Sequence, residues 1–278
     1  MGIQGPSGSG KTYSSLLLAF GLTGDWGRVA VIDTENHSSN LYDYLGDYFV
    51  LPLSAPFTPE RYIEAIRYCI SQEIQVVIID SISHEWEGSG GILDIHSQMA
   101  GNSFTNWAKL TPRHNAFIQE LLQSPVHVIA NVRTKQDYVL VDKNGKMAPE
   151  KVGLKGITRE GMDYEFTLVL DLDIKHHANA SKDRTSLFID RPEFKITSET
   201  GKAILKWCNS GKEVEIHEIS RRINDCKTIQ ELLDLYKMYP QYNEPLQKEF
   251  ESRKIRIQGS NERKSEFPHQ KISTNGTV

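Results

Sequence analysis

Apolar and polar positions follow two different rhythms along most of this chain. Short, almost wholly apolar runs at residues 28–32 (RVAVI), 76–80 (VVIID) and 126–132 (VHVIANV) predict strands buried on both faces. Segments with helical spacing lie between them. Thr58 and Pro59 open one as N-cap and first-turn proline, with Tyr62, Ile63, Ile66, Cys69 and Ile70 on its apolar face. Residues 107–123 predict another, with Trp107, Leu110, Phe117, Ile118, Leu121 and Leu122 facing the core, before Pro125 punctuates the chain. Residues 16–20 (LLLAF) suit a buried helix. Strands alternating with helices imply an α/β domain, its mostly parallel sheet flanked by helices. The strand before Gly5 is short, so either the chain begins further upstream or this strand is unusually brief.

The rhythm breaks over residues 135–162, where Asn144-Gly145 predicts a hairpin turn. Strands resume at 165–174 (EFTLVLDLDI) and at 185–189 (TSLFI), with a polar turn at 178–186 (ANASKDRTS) between them. The sequence NSGKE then reads as a linker. Beyond it, Ile216, Ile219 and Ile223 mark one helix, and Thr228 with Glu231 forms a capping box for a second. Leu246 and Phe250 mark a third. The expected organisation is a large domain at 1–208, a small C-terminal helical appendage at 209–257 that packs or docks, and a polar, disordered tail at 258–278.

Composition narrows the function classes. A net charge of −4, with 38% hydrophobic and 24% charged residues, is ordinary for a soluble globular protein and argues against a globally basic nucleic-acid binder. A local basic patch remains compatible with it. Cys69, Cys208 and Cys226 are far apart and form no metal-binding spacing, which suits reduced thiols in the cytoplasm. His176-His177 reads as a solvated strand end. No apolar run is long enough to span a bilayer, so no membrane partner is expected.

The chemistry concentrates at Gly5, Pro6, Ser7, Gly8, Ser9, Gly10, Lys11 and Thr12, which match G-x-x-x-x-G-K-[ST] in full. The glycines let backbone N–H groups converge on phosphates, Lys11 adds charge for the β/γ oxygens, and Thr12 offers a hydroxyl to Mg²⁺. The expected ligands are therefore ATP and Mg²⁺. Ligands of parallel sheets sit beyond the carboxyl ends of the strands. Glu35, Asp80 and Asn131 all fall at such ends, with Asp80 as the carboxylate associated with Mg²⁺.

With these motifs the chain resembles the RecA-type ATPases over about residues 1–205. VIDTENHSSN is similar to the segment that supplies the water-activating glutamate, here Glu35, and VVIIDS to the metal-aspartate strand. VIANVRTK resembles the strand ending in the γ-phosphate-sensing residue, which puts Asn131 where RecA carries glutamine. DSISHEWEG, VRTKQDYV, KVGLKG and SKDRT resemble a phage-encoded family of compact RecA-core ATPases, often labelled AAA domain, some of them implicated in single-strand annealing and recombination. Glu85 is the rival base. The resemblance favours Glu35 because it places that residue's strand beside the P-loop strand.

The same resemblance implies a DNA loop over about 135–161, where Lys135, Lys143, Lys146, Lys151, Lys155 and Arg159 face four acidic residues. Tyr138 either stacks on a base or packs across the hairpin, and a solvated hairpin is the alternative for the whole loop. Lys182 and Arg184 resemble the lysine-x-arginine pair that reaches the γ-phosphate of a neighbouring subunit; the alternative is a solvated turn. The expected partners are thus further copies of this chain with ATP at their interfaces, single-stranded DNA, and a single-strand-binding or replication protein. A DNA-stimulated ATPase, a helicase-like or helicase-loading motor and a non-hydrolysing nucleotide switch all fit.

Overall fold

The computed structural model describes residues 1–143, 146–210 and 216–265, with 136–143, 146–154 and 260–265 as backbone only. The chain divides into two units on either side of Ser210, two residues beyond the boundary expected at 208.

In the first unit β1 (Gly2–Gly5) leads into α1 (Lys11–Thr23), and β2 (Val29–Asp33) and β3 (Phe49–Pro52) precede α2 (Pro59–Ser71). After β4 (Val76–Asp80) come α3 (Ser83–Glu87), α4 (Ile92–Gln98) and α5 (Ser103–Gln123). The long β5 (His127–Lys143) turns back as β6 (Lys146–Gly156); α6 (Met162–Glu165), β7 (Leu168–Leu172), β8 (Ala178–Asp183) and α7 (Ser198–Cys208) complete the unit. The sheet runs β3-β2-β4-β5-β1-β7-β8, with β6 paired to β5 alone. Among these strands, only the β5–β6 and β7–β8 pairs are antiparallel. This mostly parallel sheet between helices is a RecA-like P-loop NTPase fold.

Period-two alternation divides the core between the two faces. Ala30, Ile32, Val77, Ile79, Val128 and Ala130 pack with Tyr62, Ile66 and Phe117 of α2 and α5. Val29, Val31, Val76, Ile78 and Ile129 pack with Leu16, Leu18 and Leu22 of α1 and Ile204 of α7. On that second face α1 and α7 approach closely through Gly21 and Gly201. A Cβ on Gly201 would stand 2.2 Å from the Leu18 carbonyl oxygen.

Three expectations need correction. β2 lies beside β4 and β3, not beside the P-loop strand β1, whose neighbours are β5 and β7. Residues 178–183 form the edge strand β8, whereas 185–189 bend away; the Asp183 carboxylate accepts bonds from the N–H groups of Thr185, Phe188 and Ile189, which turns the chain there. In the second unit α8 (Ile216–Asp225), α9 (Ile229–Met238) and α10 (Gln247–Ser265) surround Ile219, Ile223, Leu232, Leu246, Phe250 and Ile257. α10 runs on to Ser265, through the first residues of the tail expected to be disordered from 258; residues 266–278 lie outside the described residues. No helix among the described residues is long and apolar enough to cross a membrane.

Candidate active site

The sheet register sets the site. Gly5 stands level with Arg133, Asp33 with Asp80, and Asp80 with Asn131, so these residues meet at one end of the sheet. A cavity of about 1000 Å³ opens there, bordered by Gly8, Lys11, Thr12, Glu35, Asp80 and Arg133.

The P-loop needs its glycines for different reasons. Gly8 and Gly10 take φ of 79° and 85°, the left-handed region that favours glycine. At Gly5 the reason is space, since a Cβ would meet Ser9 Oγ at 2.6 Å and the Leu172 carbonyl oxygen at 2.7 Å. Lys11 is the first residue of α1, and its ammonium donates to the carbonyls of Gly5 at 2.9 Å and Pro6 at 3.0 Å. Burial lowers the Lys11 pKa; Asp80 and Glu35 oppose that shift, while Arg133 adds to it.

One residue on, Thr12 Oγ1 donates to Asp80 Oδ2 at 2.5 Å. Asp80 is 3% exposed. Burial pushes its pKa up, the Thr12 bond pulls it back, and Glu35 pushes it up again. A hydroxyl and a carboxylate side by side at the mouth of a phosphate loop are oxygen donors of the kind Mg²⁺ takes. The residues present therefore fit a Mg²⁺-nucleotide, with Thr12 and Asp80 on the metal side and Gly5 to Lys11 on the phosphates.

Glu35 is positioned by the turn that ends β2. Asp33 accepts bonds from the N–H of Glu35 at 2.7 Å and of Ser39 at 2.9 Å, and from the Ser39 hydroxyl. Asn36 and His37 then take left-handed φ of 53° and 63°. This turn carries the Glu35 carboxylate to the cavity although β2 is not adjacent to β1. There Arg133 holds it with both arms of its guanidinium: Nε donates to Oε1 at 2.6 Å and Nη2 donates to Oε2.

Asn131 does not border the cavity. It is fully buried, and its Oδ1 accepts from the Ser15 hydroxyl of α1 at 2.6 Å. In the sheet it stands level with Asp80, which does border the cavity. Arg133 is the residue that the motif comparison passes over. It lies two positions beyond Asn131 on β5, and period-two alternation was the available signal.

Glu85 is 1% exposed and faces α5, where His114 Nδ1 lies 3.0 Å from its carboxylate. It does not border the cavity. His176, expected at a solvated strand end, folds over the loop with Nδ1 3.0 Å from the Ser9 carbonyl oxygen. Tyr13 and Tyr42, also unremarked in the sequence, border the cavity with ring centroids 5.8 Å apart. Neighbouring His177 lies with Asp173 and Glu193, whose ligand atoms fall within 4.8 Å of one another at the surface.

Lys182 and Arg184 lie away from their own P-loop. Lys182 pairs with Val169, which is level with Gly2 at the opposite end of β1 from the loop. Both donate to the Tyr164 carbonyl, Arg184 at 3.3 Å, and Lys182 also to that of Asp163 at 3.1 Å. The basic residues of this region are spread along the two hairpin strands, with Arg159 just beyond the second. Lys135 is exposed at the hairpin's base, Lys155 lies 3.4 Å from Glu160, and Arg159 lies 3.4 Å from Asn115. The backbone pairs Tyr138 with Lys151 and Lys143 with Lys146; their side chains, and the Asn144-Gly145 turn, lie outside the described residues.

The profile of a family described as AAA domain matches residues 1–212. No curated protein matches the chain.

Proposed function

The chain belongs to the AAA-domain family, a family of nucleotide-binding ATPases, and on that premise we propose that it hydrolyses ATP as part of work on single-stranded DNA in phage-type recombination or replication. The observation that carries the hydrolytic part is the meeting of Lys11, Thr12, Asp80 and Glu35 around one cavity.

Each residue has a task set by its surroundings. The P-loop backbone and Lys11 bind the β/γ-phosphates, and Lys11 can exchange its two loop carbonyls for phosphate oxygens. Thr12 and Asp80 hold Mg²⁺, which when bound offsets charge on the phosphates. Glu35 accepts the proton of the attacking water. Glu85 is less favoured, because it is paired with His114 and does not border the cavity. One observation favours a nucleotide switch as second reading: Glu35 is engaged by Arg133, so the base is occupied in this state.

The DNA part is supported by placement. The hairpin springs from β5 at Thr134, directly after Arg133, and both residues border the cavity. Lys135, Tyr138, Lys143, Lys146, Lys151, Lys155 and Arg159 would contact the strand there. A homo-oligomer is supported by Lys182 on the edge strand β8 and Arg184 one residue past its end, a cation pair at the far end of the sheet from its own P-loop. In an assembly they would act on ATP bound by the next subunit. The C-terminal helices would then dock a single-strand-binding or replication protein.

The test is ATP turnover with and without single-stranded DNA, using Lys11→Ala as the inactive control. Stimulation by DNA that is lost when Lys143, Lys146 and Lys151 become alanine, with basal turnover retained, supports the reading. Turnover indifferent to DNA removes the DNA part, and nucleotide binding without turnover favours the switch.

A further inference from the structure

We propose that Arg133 is the residue that senses the γ-phosphate within its own subunit, and that its pairing with Glu35 is the resting state which nucleotide binding exchanges. The inference rests on the ATPase reading above and adds a residue and a gating step to it.

Three observations support it. First, Arg133 borders the same cavity as Lys11, Thr12 and Asp80, and it stands level with Gly5, where the P-loop begins. Second, its backbone is anchored. Its N–H donates to Ser83 Oγ at 2.9 Å, and its carbonyl accepts from Ile157 N–H at 2.7 Å, so the side chain swings from a fixed base. Third, its guanidinium already holds a planar oxyanion through two bonds. The fork that fits a carboxylate also fits a phosphate, so Glu35 and a γ-phosphate compete for the same donors.

Arg133 borders the cavity, whereas Asn131 does not. The base is kept engaged until a triphosphate draws Arg133 away and frees the Glu35 carboxylate to accept a proton from water. A diphosphate lacks the competing group and leaves the pair in place. Ile157 closes the far strand of the hairpin on the Arg133 carbonyl, so a ligand on the hairpin has a short path to this exchange.

The experiment compares binding of ADP and of a non-hydrolysable ATP analogue, each with Mg²⁺, by the full-length wild-type chain, Arg133→Gln, Arg133→Lys, Glu35→Gln and the double variant Glu35→Gln/Arg133→Gln. Thermal melting of each variant accompanies the binding series. Arg133→Gln should bind ADP as wild type does and lose roughly tenfold to a hundredfold in affinity for the analogue, the range of charge-assisted hydrogen bonds. Arg133→Lys, which keeps charge without the fork, should fall between. Glu35→Gln should bind the analogue more tightly than wild type, because Arg133 no longer has a resting partner. That gain should vanish in the double variant. Equal analogue-to-ADP ratios in wild type and Arg133→Gln overturn the sensing role. A gain that persists in the double variant assigns it to lost repulsion and overturns the resting pair. Parallel weakening of ADP and analogue in both Arg133 variants shows a structural residue and also overturns the inference. Wild type that binds neither nucleotide overturns the ATPase reading itself, and the inference with it.

Discussion

Replacing Gly201 with alanine should loosen the helix that carries the P-loop. A Cβ there would lie 2.2 Å from the Leu18 carbonyl oxygen and 2.8 Å from the Gly21 Cα. Both are backbone atoms, so no side chain can rotate away. An ordinary carbon–oxygen approach is about 3.3 Å, and α1 and α7 must separate by roughly 1 Å to restore it. Overpacking of this kind costs about 1–3 kcal/mol, while alanine in place of glycine within a helix returns up to about 1 kcal/mol. A net loss of about 1–2 kcal/mol lowers Tm by roughly 2–8 °C for a unit of this size. Thermal denaturation followed by circular dichroism measures it. At Gly259 in α10 an added Cβ would meet nothing within 4 Å, so Gly259→Ala should have the opposite sign and stabilise its helix. A Gly201→Ala protein that melts at or above wild type would refute the close crossing of α1 and α7.

Glu85→Ala should cost about 1–3 kcal/mol, because it strips the hydrogen-bond partner from buried His114, yet hydrolysis at temperatures below melting should persist. Complete loss of turnover in a folded Glu85→Gln protein would return Glu85 to consideration as the base. Glu60 is held by two bonds from Arg113, which lower its pKa from the ordinary 4.5 to about 2. The pair's contribution is therefore fully present above about pH 4.5 and lost as pH falls toward 2. Glu60 is exposed and Arg113 is half-buried, so solvent screening holds the contribution to about 1 kcal/mol. The Tm deficit of Glu60→Gln at pH 7 should shrink to nothing across that acid range, and a constant deficit would contradict the sign. Arg184→Ala and Lys11→Ala, each inactive alone, should regain hydrolysis when mixed if Arg184 acts on a neighbour's ATP; Arg184→Ala protein with full activity alone would end that proposal.

The parts legible in the sequence were those governed by local chemistry. Apolar runs located β2 and β4, and the Gly-rich loop located the anion cradle, because backbone conformation there depends on a few nearby residues. Pairing order was less legible. Nothing local to RVAVI says whether its strand lies beside β1 or β4, and the structure chose β4. The polar segment 178–183 read as a turn because an edge strand with one exposed side needs few apolar residues. At the site, the amide in VIANVRTK drew attention to Asn131, while the register that sets Arg133 level with Gly5, and its place on the cavity wall, emerge only in the structure.

Single-turnover hydrolysis of Mg²⁺-ATP by wild type and by Glu35→Gln, with nucleotide binding measured on the same samples, tests whether this cavity is an ATPase site with Glu35 as its base. Wild type should hydrolyse the bound ATP, and Glu35→Gln should still bind it while the chemical step slows by about 10²- to 10⁴-fold, since an amide keeps the shape but cannot accept the proton. Hydrolysis by Glu35→Gln at the wild-type rate would contradict the assignment of the base, and wild-type protein that binds ATP without hydrolysing it would contradict the enzyme.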